Sequence, residues 1–89
     1  MNVHVTLSIT GKVQGVFYRA SAKDKALSLG LQGFAKNEHD GSVSIEVEGE
    51  EININAFTDW CRVGPRMADV VEVKVEFGEI RNYKNFLIR

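Results

Sequence analysis

The hydrophobic period of this chain switches repeatedly between two residues and three to four, and the order of the switches limits its possible folds more than any other feature. In "VHVTLSIT", Val3, Val5, Leu7 and Ile9 alternate with His4, Thr6 and Ser8, the pattern of a half-buried strand. "YRASAKDKALSLG" then places Ala22, Ala26 and Leu29 at helical spacing, with Leu27 widening the stripe and Gly30 suited to the helix end. "LQGFAKN" predicts a second strand, and Asp40-Gly41 predicts a hairpin into a third. That third strand, "SVSIEVEG", sets Val43, Ile45 and Val47 on one side and Ser42, Ser44, Glu46 and Glu48 on the other. A second helix is expected in "EEININAFTDWCRVG", with Ile54, Phe57 and Cys61 in its stripe, Trp60 beside them and Gly64-Pro65 as its stop. Glu50 and Glu51 favour its N-terminus. "VVEVKVEFGE" predicts a fourth strand with Val71, Val73, Val75 and Phe77 inward, and "NYKNFLIR" a short last strand around Phe86 and Ile88.

The order is therefore β-α-β-β-α-β with a short extra strand. Strands apolar on one face only call for one sheet covered by helices on one side. That is an α+β sandwich of the ferredoxin-like type, with an antiparallel-rich sheet and two helices on one face. At 89 residues, with no repeat or linker, residues 1–89 are expected to form a single domain. This fold carries many unrelated activities, so function has to come from a site.

Charge and cysteine usage narrow the classes. A net charge of −1 argues against a nucleic-acid partner, because binding a phosphate backbone needs a basic surface. The charge is uneven: through Asn37 the bases are Lys12, Arg19, Lys23, Lys25 and Lys36 against the one acid Asp24, so the first part can attract a small anion. Simple solvation of charged faces accounts for the same pattern. One cysteine, Cys61, permits no internal disulfide and fits a reducing compartment. No apolar run reaches the roughly 18 residues needed to span a bilayer, and the alternating start is unlike a signal peptide. A cytoplasmic monomer with no membrane association is the expectation. His4, His39 and Cys61 lie too far apart for ligand spacing, so no metal site is expected.

The stretch "GKVQGVFYR" (Gly11 to Arg19) joins the first strand to the first helix. A glycine-containing turn there presents successive backbone N–H groups at the positive end of a helix, which suits a phosphate-like anion. Arg19 adds a permanent charge and a planar fork matched to two phosphate oxygens. A tight connection with a surface arginine is the alternative. The stretch lacks the Gly-Lys-Ser/Thr ending of a Walker loop and the third glycine of a dinucleotide loop, and no hydroxyl stands ready for magnesium. A cradle of this kind holds one phosphoryl group.

"GKVQGVFYR" resembles the first signature of the acylphosphatase family, and "GFAKNEHDGSVSIEVEG" (Gly33 to Gly49) resembles the second. "WCRVGP" and the ending "NFLIR" are also similar to bacterial members, so the resemblance spans essentially the whole chain. Tyr18 stands where the first signature more often has Phe. The resemblance implies the fold above, no cofactor, and hydrolysis of acyl phosphates to carboxylate and phosphate. It implies that Gly15, Val16, Phe17, Tyr18 and Arg19 form the phosphate-binding loop through their backbone, that Arg19 is catalytic, and that Asn37 orients the attacking water. Without the resemblance, Asn37 reads first as a turn residue favoured before a hairpin.

Two rivals share the fold. An RNA-recognition module would stack bases on aromatics of the open sheet face, but Glu46 and Glu48 there repel a phosphate backbone. A non-catalytic module that binds small phosphorylated metabolites would need the cradle without Asn37. Acetyl phosphate, carbamoyl phosphate and glycerate 1,3-bisphosphate are all eligible substrates, because the cradle addresses only the phosphoryl end.

Overall fold

A computed structural model describes all 89 residues. The elements are β1 (Asn2–Lys12), α1 (Tyr18–Ser28), β2 (Gln32–Asn37), β3 (Val43–Glu50), α2 (Glu51–Val63), β4 (Asp69–Gly78) and β5 (Phe86–Ile88). They build one five-stranded sheet in the order β4-β1-β3-β2-β5. Every pairing is antiparallel except that of β2 with β5. This is the expected ferredoxin-like arrangement with its extra C-terminal strand.

The alternation in β1 and β3 sets their register. Val5, Leu7 and Ile9 pair with Val47, Ile45 and Val43, and all six are fully buried. Any slip by one residue would turn this set toward the other face. Against it pack Ala22 and Ala26 of α1 and Ile54, Phe57 and Cys61 of α2. α1 ends as expected, with Gly30 at a φ of 70°. Leu27 does not extend the buried stripe; it is exposed, because α1 meets the sheet along Tyr18, Ala22 and Ala26.

β4 departs from its expected pattern. Of the four residues expected inward, Val71, Val73, Val75 and Phe77, only Val73 is buried. Thr10 pairs with Glu72 but Gly11 pairs with Val70, so Val71 is the extra residue of a bulge. The bulge shifts the phase: Val70 packs against the core and Val71 points to solvent. Val75 and Phe77 oppose Leu7 and Val5 and so share their face, yet on this outermost strand Phe77 remains 65% exposed.

The sheet face away from the helices is not bare either. The segment between β4 and β5 crosses it. Glu48, expected in solvent, is buried and accepts hydrogen bonds from the backbone N–H groups of Arg81 and Tyr83. The Tyr83 hydroxyl donates to Glu46 at 2.7 Å, and His4 Nε2 lies 3.0 Å from the same carboxylate oxygen. His4 is thereby covered, at 4% exposure. Ser42 is also buried, because it closes the hairpin instead of standing on a sheet face: its N–H and hydroxyl both donate to Asp40. No helix is long and apolar enough to cross a membrane.

Candidate active site

The connection from β1 to α1 is pinned at alternating points. Val13, Val16 and Tyr18 are buried, while Gly15 and Phe17 between them face out. Both outward residues have positive φ, 75° at Gly15 and 63° at Phe17. For Gly15 this conformation is cheap. For Phe17, the residue that caps α1, left-handed backbone costs about 1–2 kcal/mol, and the buried neighbours hold it there. The Tyr18 hydroxyl donates to the Cys61 carbonyl at 2.7 Å and so ties the loop to α2. Burial pushes this phenol far above its ordinary range, leaving it a neutral structural donor. Burial also pushes the Cys61 thiol up to about 12, so it is inert core.

The consequence is a run of unpaired donors. From Gly15 to Arg19 no backbone N–H donates to any acceptor of the chain, backbone or side chain. The first helical hydrogen bond is that of Ser21 to the Phe17 carbonyl. Free N–H groups at a helix start, added to the helix dipole, favour an anion.

These groups border a cleft of about 330 Å³ whose wall includes Val13, Gly15, Phe17, Arg19, Asn37 and Ile88. Arg19 is the only cation in the wall, and no carboxylate side chain lines it. The Arg19 guanidinium donates through Nη1 to the Arg89 main-chain oxygen at 2.8 Å. That oxygen is fixed in turn, since Arg89 N–H donates to Ala35 and its guanidinium lies 4.0 Å over the Phe34 ring. Asn37 ends β2, where it pairs with Val43. Its side-chain amide is exposed and has no partner within the chain, so both its donors and its acceptor are available.

Of the residues singled out from sequence, Gly15, Phe17, Tyr18, Arg19 and Asn37 meet in this one cleft. Val16 does not line it; its side chain turns into the core beneath the loop. His39 is exposed in the hairpin, and His4 and Cys61 lie elsewhere. Three features were not foreseen: Ile88 in the wall, the Arg89 oxygen on Arg19, and Gln14, whose side chain reaches the β2–β3 hairpin.

Comparison with known proteins identifies the family. The acylphosphatase family model matches residues 5–88. An acylphosphatase of Marinobacter nauticus is 49% identical over 70 residues, covering 79% of this chain and 76% of that protein. One from Nocardioides is 40% identical over 89 residues, covering 100% and 90%. The solved structure of an acylphosphatase from Coxiella burnetii superposes with a TM-score of 0.96 at 36% identity, covering 99% of this chain and 93% of that one. With the family match running through both the loop and the hairpin that form the cleft, the chain belongs to the acylphosphatase family.

Proposed function

We propose that this cleft hydrolyses the carboxyl–phosphate bond of acyl phosphates, and that it does so with a backbone cradle, Arg19 and Asn37 alone. The supporting observation is the meeting, in one cleft, of unpaired N–H groups from Gly15 to Arg19, the Arg19 guanidinium and the free Asn37 amide. The cradle and Arg19 bind the phosphoryl oxygens. Asn37 holds a water in line with the leaving group. The water oxygen forms a bond to phosphorus as the bond from phosphorus to the acyl oxygen breaks. The electron pair leaves with the carboxylate, and the water's proton passes to a phosphate oxygen.

A carboxylate departs without protonation, so the site has no need of a general acid. The remaining work is placement of the water and stabilisation of charge on a loose phosphoryl transition state. A preorganised set of donors in a partly enclosed cleft meets both needs. Magnesium favours carboxylate oxygens as ligands, and the wall contains none. We therefore place the reaction without a metal. We also infer a monomer acting on small molecules in the cytoplasm, in line with the single buried thiol of Cys61.

The test is turnover of benzoyl phosphate, followed by the absorbance change on hydrolysis, with and without EDTA. Turnover unchanged by EDTA and competitively inhibited by inorganic phosphate is expected. Loss of turnover in EDTA with recovery in magnesium would overturn the metal-free mechanism. Phosphate binding without turnover would make the protein a binding module.

A further inference from the structure

The Gln14 side chain bridges the two halves of the cleft. Its Nε2 donates to the Glu38 carbonyl at 2.8 Å and to the Ser42 carbonyl at 2.8 Å. Gln14 directly precedes Gly15, where the cradle begins, and Glu38 directly follows Asn37. The two accepting carbonyls stand on either side of the hairpin, which is itself closed by the bond from Glu38 N–H to the Ser42 oxygen. One amide group thus spends both of its N–H donors on the loop that carries Asn37. Apart from this bridge, the cradle has its own anchors in buried Val16 and in Tyr18.

We infer that Gln14 is a positioning residue for hydrolysis: it fixes the distance between the phosphate cradle and the water held by Asn37. This inference rests on the roles proposed above for the cradle and Asn37. The physical reason is that in-line attack depends on where the water stands relative to phosphorus, whereas phosphate binding depends only on the cradle. Loss of the bridge leaves the cradle intact and frees the hairpin to drift. Displacements on the order of 1 Å cost up to about a hundredfold in rate.

The experiment is a double-mutant cycle on benzoyl phosphate turnover, using Gln14→Ala, Asn37→Ala and the double variant. Inorganic phosphate inhibition is measured alongside, and circular dichroism checks the fold. Gln14→Ala should lower kcat by about tenfold to a hundredfold while the phosphate inhibition constant moves by less than about threefold. In the Asn37→Ala background the same substitution should have almost no further effect, because residues that act as one unit are not additive. Gln14→Glu is the second variant, for use if the alanine variant does not fold. Its ionised carboxylate repels both carbonyls, but its protonated form supplies one donor. Its kcat relative to wild type should therefore rise as pH falls toward the carboxyl range.

The outcomes separate cleanly. Wild-type kcat in folded Asn37→Ala would remove the reading on which the bridge rests. Loss of kcat in Asn37→Ala but not in folded Gln14 variants would overturn the bridge alone. Effects of Gln14→Ala and Asn37→Ala that simply multiply would show that Gln14 acts apart from Asn37, and so would also overturn it.

Discussion

Arg19 drew a chemical reading because a guanidinium at a helix start next to a glycine turn suits an anion. Read alone it serves equally as a surface arginine on a tight connection, and its catalytic role comes from the family resemblance. On the proposed mechanism the Arg19 charge meets phosphate both before and during transfer, so Arg19→Gln should raise KM and lower kcat together. The loss in kcat/KM should be on the order of 3 kcal/mol or more, about a hundredfold or beyond. Unchanged turnover in steady-state assays would remove Arg19 from the site. Gly15 makes a narrower point. With φ at 75° and nothing within 4 Å of where a Cβ would stand, an alanine there is opposed by backbone conformation and not by crowding. Gly15→Ala should lower stability by about 1 kcal/mol in thermal unfolding. It should also weaken phosphate inhibition, since the loop sheds strain by leaving its left-handed turn. Gly15→Asn, which tolerates that turn better, should be milder on both counts. Gln14 was not legible for a plain reason: its partners are backbone carbonyls 24 and 28 residues away, and no side-chain pattern announces a carbonyl.

At the scale of elements, the central strands were legible and the edge was not. β1 and β3 are covered along their whole inner face, so period-two alternation maps directly onto burial. In β4 the bulge at Val71 changes the phase midway, and the outer position leaves Phe77 with little to pack against. The segment after β4 was also opaque, because glutamates on alternate positions look like a solvated face until something covers them. Here burial alone would raise the Glu46 carboxyl, but hydrogen bonds from Tyr83 and His4, with the Arg81 charge, hold it below its ordinary value. A carboxyl depressed on folding contributes stability that is fully present above the unfolded value of about 4.3 and is lost as pH falls through the lower folded value. Urea midpoints measured from about pH 5 downward should therefore fall more steeply in wild type than in Glu46→Gln. Parallel pH profiles would mean that the Glu46 interactions add nothing on folding. The cluster lies on the sheet face away from the helices, so this loss concerns stability and not the chemistry of the cleft.

Across the whole molecule, the cleft is assembled from segments distant in sequence: the turn after β1, the end of β2 and the C-terminal strand. Sequence pointed to the first two because both fall in stretches that resemble the acylphosphatase signatures. The glycine turn with Arg19 also suits an anion in its own right, whereas Asn37 read alone is a turn residue. The sequence marked the third as a short strand but not as part of the cleft, where Arg89 contributes only a main-chain oxygen and Ile88 only bulk. The topology explains their meeting. β2 lies between β3 and β5, so the Asn37 end of β2 is flanked on one side by the hairpin that Gln14 reaches and on the other by the strand that holds Arg19. The proposed site divides its labour: the cradle and Arg19 hold phosphate, and Asn37 holds only water. The most direct measurement is kcat on benzoyl phosphate and inorganic phosphate affinity by calorimetry, for wild type and Asn37→Ala side by side. A role confined to the attacking water predicts steeply reduced kcat with phosphate affinity nearly intact, as for an interaction made mainly in the transition state. A folded Asn37→Ala variant that keeps its kcat, or that loses phosphate affinity in proportion to its rate, would contradict it.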